Sequence, residues 1–169
     1  MTGTHKSISP VAISMFALKG YDSLFLISFL GFNFSQGAAS LAVALKTKNK
    51  ELKQTAYSAA ITTLLAGITE PALYGVSLKL RKPLYANMIG SACAGLFSGI
   101  IGLKLYAYVG PSLVSLPAFI DKSHNIIFAC ISMAITIIVT MIFTFVFGWD
   151  DPISDNNDSI DTSKSNPNI

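Results

Sequence analysis

One carboxylate, set between glycines in the stretch Gly67-Ile68-Thr69-Glu70-Pro71-Ala72-Leu73-Tyr74-Gly75, restricts what this chain can fold into more than any other feature. Its surroundings are those of a membrane protein: hydrophobic residues make up 51% of the 169 and charged residues 12%, against about 25% charged in an ordinary soluble domain. Holding a charged side chain inside a bilayer costs roughly 2.5–3.5 kcal/mol on insertion scales, so an acid there marks a functional site by default. Only helices and closed barrels satisfy their backbone in lipid. Apolar runs at 21–45, 83–103 and 125–148 reach the roughly 20 residues that a spanning helix needs, and they predict an all-α polytopic membrane protein.

The acid-bearing stretch predicts a broken helix. Gly67 can stop the run 55–66, Thr69 can cap a new helix, and Pro71 suits a first turn. Charge placement reaches the same geometry independently. Lys46, Lys48, Lys50 and Lys53 precede the segment 54–78, while Lys79, Arg81 and Lys82 follow it. Basic loops favour the cytoplasmic side, so the segment must leave and return on one face as a re-entrant helical hairpin. Irregular backbone at membrane depth survives only where protein or a wet cavity covers it, and transporters build midplane substrate sites from such interruptions. Glu70 is therefore the leading candidate ligand; the structural alternative is a buried acid paired with a lysine such as Lys79.

Asn33, Ser35, Gln36, Gly37 and Ser40 run along the middle of the first span. Polar and small residues of this kind serve helix contact, or else Asn33 or Gln36 lines a pocket. In 83–103, two rows at four-residue spacing, Gly90/Ala94/Ser98/Gly102 and Ser91/Gly95/Gly99, permit close helix approach, and Asn87 is a further polar candidate. Residues 104–123, with Tyr106, Tyr108, Gly110, Pro111 and Pro117, predict an irregular connection. Cys93 and Cys130 lie in separate apolar runs without metal-ligand spacing and read as small core residues. No cofactor or metal is expected.

The net charge of +3 conceals a basic body and a polar tail with five Asp and one Lys after Trp149, which argues against nucleic acid as a partner. Segment 153–169 has almost nothing to bury and predicts disorder. The first twenty residues lack the pattern of a cleavable signal, so insertion is expected to rely on the apolar segments, Val11 to Leu18 being too brief to span. Nothing resembles a nucleotide-binding glycine loop, so the energy for any transport comes from outside the chain.

Residues Gly67 to Val76 resemble the signature of the sugar-translocating IIC (permease) domain of bacterial phosphotransferase-system enzyme II, glucose superfamily, and are most similar to its β-glucoside branch. The likeness extends more weakly from Thr2 to Pro152. Thr2-Gly3-Thr4-His5, with Pro10 five residues on, is similar to a Gly-x-His segment that precedes the acidic motif in the family. The resemblance implies that Glu70 and His5 contact sugar hydroxyls, with Gly67 and Thr69 shaping the same site. Activation of a sugar hydroxyl by Glu70 or His5 is one role; positioning alone is the other.

It further implies a sugar substrate, a phosphorylated IIB domain or protein as partner, membrane lipid, and a homodimer as family precedent. The phosphotransferase activity would belong to the enzyme II complex, with no phosphoryl-carrying residue on this chain. The location implied is the bacterial cytoplasmic membrane. Against a typical IIC domain the chain corresponds to the C-terminal half, and the N-terminal half is expected to be supplied by a partner. A non-transporting remnant, or a protein that only associates through its helices, is the alternative.

Overall fold

The computed structural model describes residues 9–21, 25–105, 112–119 and 125–149. His5, the connection 106–111 with Tyr106, Tyr108, Gly110 and Pro111, and the tail 153–169 lie outside the described residues. The architecture is all-helical. Helix α1 covers Ser9–Lys19, α2 Phe25–Lys46 and α3 Lys50–Ile61, the last prolonged by a wider π-helical turn at Thr62–Ala66. After a break at 67–69 the chain returns through α4 (Glu70–Ala72), a second π-helical turn (Leu73–Ser77) and α5 (Leu78–Leu80). Helix α6 (Lys82–Ile101), a 3₁₀ turn (Leu113–Phe119) and α7 (Asn125–Phe147) complete it.

Helices α2, α6 and α7 are long and apolar enough to cross a membrane, at about 30–35 Å for 20–23 residues. Their environments differ. Of the spanning window of α2, 78% is buried, against 28% for α6 and α7, so α2 is the interior helix and the other two present outer faces suited to lipid. This explains the distribution of polar residues. Asn33, Ser35, Gln36 and Ser40 are all buried, and each faces another helix instead of hydrocarbon.

Small residues let these helices approach closely. A Cβ added to Gly31 would lie 2.8 Å from that of Ala94, and one on Gly90 would collide with the Thr140 hydroxyl. Ser35 donates to Asn87 Oδ1, and the Ser98 and Ser132 hydroxyls are 3.0 Å apart. These pairings run α6 antiparallel to both α2 and α7. The row Gly90, Ala94, Ser98 is thus an interface, but Gly102 ends the helix in a left-handed turn (φ 68°). The second row is open: a Cβ added to Gly95 or Gly99 would meet no described residue within 4 Å. Cys130 departs from expectation, since it is exposed on the outer side of α7, whereas Cys93 is half-buried.

The bundle is chemically polarised. Lys46 lies over the Trp149 ring at 5.4 Å, joining the ends of α2 and α7, and Leu80 and Trp149 pack around Val43, Ala44 and Leu52. Lys46, Lys50, Lys53, Lys79, Arg81 and Lys82 therefore gather at one end. At the other, Leu103 and Leu105 close against Ile27, Leu30, Ala129 and Met133.

Candidate functional site

The break between the two short limbs has a local cause. Gly67 takes φ 74° and ψ 15°, a left-handed conformation that costs a glycine little, and its N–H returns to the Thr63 carbonyl at 3.0 Å. Stopping the helix frees carbonyls that must find donors. The Thr63 hydroxyl donates to Ile68 O at 2.9 Å, and Asn33 Nδ2 donates from α2 to Gly67 O at 3.2 Å. Thr69 occupies the position before α4, yet its side chain makes no capping bond, contrary to the sequence expectation; at φ −91° and ψ −15° it follows the turn, and its carbonyl accepts from Leu73 N–H at 2.8 Å. Pro71 sits in the first turn, where a missing N–H costs nothing.

The limbs form an antiparallel hairpin. Leu52, Ala56 and Ala59 on α3 cluster with Ala72 and Val76 on the return, and a Cβ on Gly75 would sit 3.2 Å from Thr55 Cγ2. The Asn33–Gly67 bond fixes the hairpin tip to α2 roughly 12 Å from its start and 20 Å from its basic end, at 1.5 Å per residue. That level is well inside the span of α2.

At the tip, Glu70 opens onto a cavity of about 310 Å³ lined by Phe29, Phe32, Asn33, Thr69, Leu73 and Tyr74 besides the acid itself. Its carboxylate has no hydrogen-bond or ion-pair partner among the described residues, so the pairing with Lys79 is not formed. A free carboxylate beside an amide and a threonine can accept several hydrogen bonds from a polyhydroxylated ligand. Among the described residues no group of three His, Cys, Asp or Glu side chains could hold a metal ion.

The structure brings Glu70, Thr69 and Asn33 together and uses Gly67 as the pivot. Gln36 does not join them. One turn nearer the basic end, it is fully buried, and its Oε1 accepts from Ser77 Oγ at 2.8 Å in the seam between α2 and the return limb. Asn87 is likewise buried, against Ser35. Phe29, Phe32 and Leu73 escape sequence reasoning because each reads as another apolar residue in an apolar run. The available signal was helical spacing: Phe29 precedes Asn33 by four residues, and Leu73 and Tyr74 follow Glu70 by three and four, which places them on shared faces.

Comparison with known proteins matches residues 1–92 to the family described as phosphotransferase system, EIIC. The chain is 39% identical over 153 residues to the arbutin-, cellobiose- and salicin-specific EIIBC component of Escherichia coli, covering 89% of this chain and 32% of that protein. It is 39% identical over 158 residues to the beta-glucoside-specific EIIBCA component of Bacillus subtilis (93% and 25%), and 34% identical over 148 residues to the sucrose-specific EIIBC component of the same organism (86% and 32%). The chain thus spans a third or less of the length of these relatives. No solved structure matches it. With the acidic motif on a helix break and three helices of bilayer length already in place, this chain belongs to the EIIC family of the phosphotransferase system and is a multi-pass membrane protein.

Proposed function

We propose that the chain is the sugar-binding part of a phosphoenolpyruvate-dependent phosphotransferase permease and that it takes a β-glucoside at the Glu70 cavity. The observation that carries this reading is the Glu70 carboxylate, without a partner among the described residues, opening onto a cavity at the break of a hairpin tied to the middle of α2. In a bacterial cytoplasmic membrane with its basic end inside, that cavity lies at membrane depth, and the segment 54–78 is a re-entrant element entering from the cytoplasm. The limits 1–152 for the membrane domain and 153–169 for a polar tail belong to the same proposal.

The chemistry divides between the chain and its partner. Glu70 accepts hydrogen bonds from vicinal hydroxyls, while Asn33 and Thr69 border the same end of the cavity. A phosphorylated IIB domain, of the kind named in the EIIBC relatives, brings the phosphoryl group, and the chain orients the accepting hydroxyl for in-line transfer. Glu70, or His5 from outside the described residues, takes the hydroxyl proton as the sugar O–P bond forms and the bond from phosphorus to its carrier side chain on IIB breaks, the electron pair staying on that carrier. Homodimerisation is part of the same proposal.

The test is Glu70→Gln in the chain coexpressed with an upstream EIIC half and a IIB protein. Losing a charge-assisted acceptor worth about 1.5–3 kcal/mol lowers sugar affinity roughly 10- to 150-fold. Binding that survives the substitution with its affinity intact excludes Glu70 as the ligand. Absence of any phosphorylation-dependent uptake from the wild-type combination favours the non-transporting alternative.

A further inference from the structure

A second cavity, of about 540 Å³, lies at the basic end of the bundle between the start of α6 and the end of α7, lined by Lys82, Tyr85, Met88, Ile89 and Phe147. Tyr85 and Ile89 follow Lys82 by three and seven residues, which places them below it on one face of α6, with Met88 beside them. A cation therefore stands at the rim and the rest of the lining is apolar. Tyr85 and Met88 are each 60% exposed, so the groove opens sideways onto whatever surrounds the bundle. From Lys82 to Ile89 it descends roughly 10 Å at 1.5 Å per residue, about a third of the hydrocarbon thickness of a bilayer.

The rim is suited to an anion. Helix α6 begins at Lys82 with no side-chain cap and no acid in its first turn, so its opening N–H groups add partial positive charge to that of the lysine. Arg81 precedes it directly, Lys79 stands two residues earlier, and Glu51 is the one acid at this end among the described residues. We infer that the groove holds an anionic phospholipid of the surrounding bilayer, its phosphate at Lys82 and the upper part of one acyl chain against Tyr85, Met88, Ile89 and Phe147. Basic pockets between spanning helices serve acidic headgroups in this way. A protein helix laid in the same place would bury the Lys82 ammonium unless it brought an acid of its own, whereas a lipid leaves that charge at the water boundary with a phosphate beside it. A zwitterionic headgroup carries its own cation to a rim that is already positive, so the site selects net negative lipid. The inference needs only the membrane location of the chain and is independent of the sugar site.

The experiment titrates the full chain, delipidated in detergent, with phosphatidylglycerol or with phosphatidylcholine of the same acyl chains and counts bound lipid by native mass spectrometry. The wild type is expected to hold one phosphatidylglycerol about fivefold more tightly than phosphatidylcholine, and Lys82→Gln to weaken phosphatidylglycerol about fivefold while leaving phosphatidylcholine unchanged. Met88→Trp, which fills the groove from an exposed position, weakens both lipids severalfold. Lys53→Gln removes an exposed cation from the same end but outside the groove, and it should change neither. Should Met88→Trp fail to fold, the contrast between Lys82→Gln and Lys53→Gln still decides. Equal binding of the two lipids by the wild type, or a loss in Lys53→Gln as large as in Lys82→Gln, reduces the effect to diffuse attraction and overturns the site. Displacement of phosphatidylglycerol by glycerol phosphate alone would show an anion site that does not use the groove, and overturns it too. A dimer that binds neither lipid and that Met88→Trp dissociates would place a second copy in the groove instead.

Discussion

Replacing Gly31 by alanine tests whether contact between α2 and α6 fixes the geometry on which the site depends. The added Cβ would lie 2.8 Å from Ala94 Cβ and 3.7 Å from the Ser91 carbonyl oxygen. Alanine has no rotamer with which to yield, so the helices must separate by about an ångström to restore ordinary carbon contact near 3.5–4.0 Å. Overpacking of this kind costs about 1–3 kcal/mol. Ala94→Gly alone loses contact and about 1 kcal/mol of helix propensity. The double variant moves the methyl group from one helix to the other, so its stability should return to within about 1 kcal/mol of the wild type, giving a coupling energy of about 1–3 kcal/mol. Gly95→Ala is the internal control, because no described residue lies within 4 Å of its added carbon. Thermal unfolding in one detergent reads all four variants, at about 2–4 °C per kcal/mol for a chain of this size. If Gly31→Ala unfolds at the same temperature as Gly95→Ala, or if Ala94→Gly fails to rescue it, the close crossing is wrong.

Three further outcomes follow from the contacts within the bundle. Ser77→Ala strands the buried Gln36 amide and should cost about 1–3 kcal/mol, whereas Gln36→Leu combined with Ser77→Ala should recover most of it; a pair no more stable than the single variant would show that the seam is held by something else. Thr63→Val keeps the side-chain shape but removes the donor to Ile68 O, so amide exchange at 67–69 should quicken and stability fall by about 1–3 kcal/mol; unchanged exchange would refute the role given to that hydroxyl. Lys46→Gln removes the cation 5.4 Å from the ring of the single tryptophan and should alter Trp149 emission while costing about 0.5–1 kcal/mol; an identical spectrum would separate the ends of α2 and α7.

The long helices were legible because lipid admits so few solutions: a run such as 125–148, nearly all Ile, Val, Phe, Met and Thr, has no other fate in a membrane protein. The break at Gly67 was legible too, from a glycine and a proline four residues apart. What sequence could not apportion was the middle of α2. Asn33 and Gln36 are equally polar and three residues apart, yet one borders the cavity and the other accepts from Ser77, a distinction that depends on where the return limb lies. Small residues were ambiguous for the same reason. Ala94 and Gly95 are neighbours on α6, and only the direction of α2 makes the first an interface and leaves the second open. The wall of the cavity was hidden most completely, because phenylalanine at 29 and 32 looks identical whether it faces lipid or a ligand.

The buried position of α2 bears on how the chain is made. Its amides and hydroxyls find neighbours on α6 and on the return limb, both synthesised after it, so for a time the ribosome has delivered a polar helix whose companions do not yet exist. Such a segment should stay beside the insertion machinery until α6 arrives. Nascent chains halted before α6 has left the ribosome should therefore crosslink to the translocon through α2, and chains long enough for α6 to have emerged should have released it.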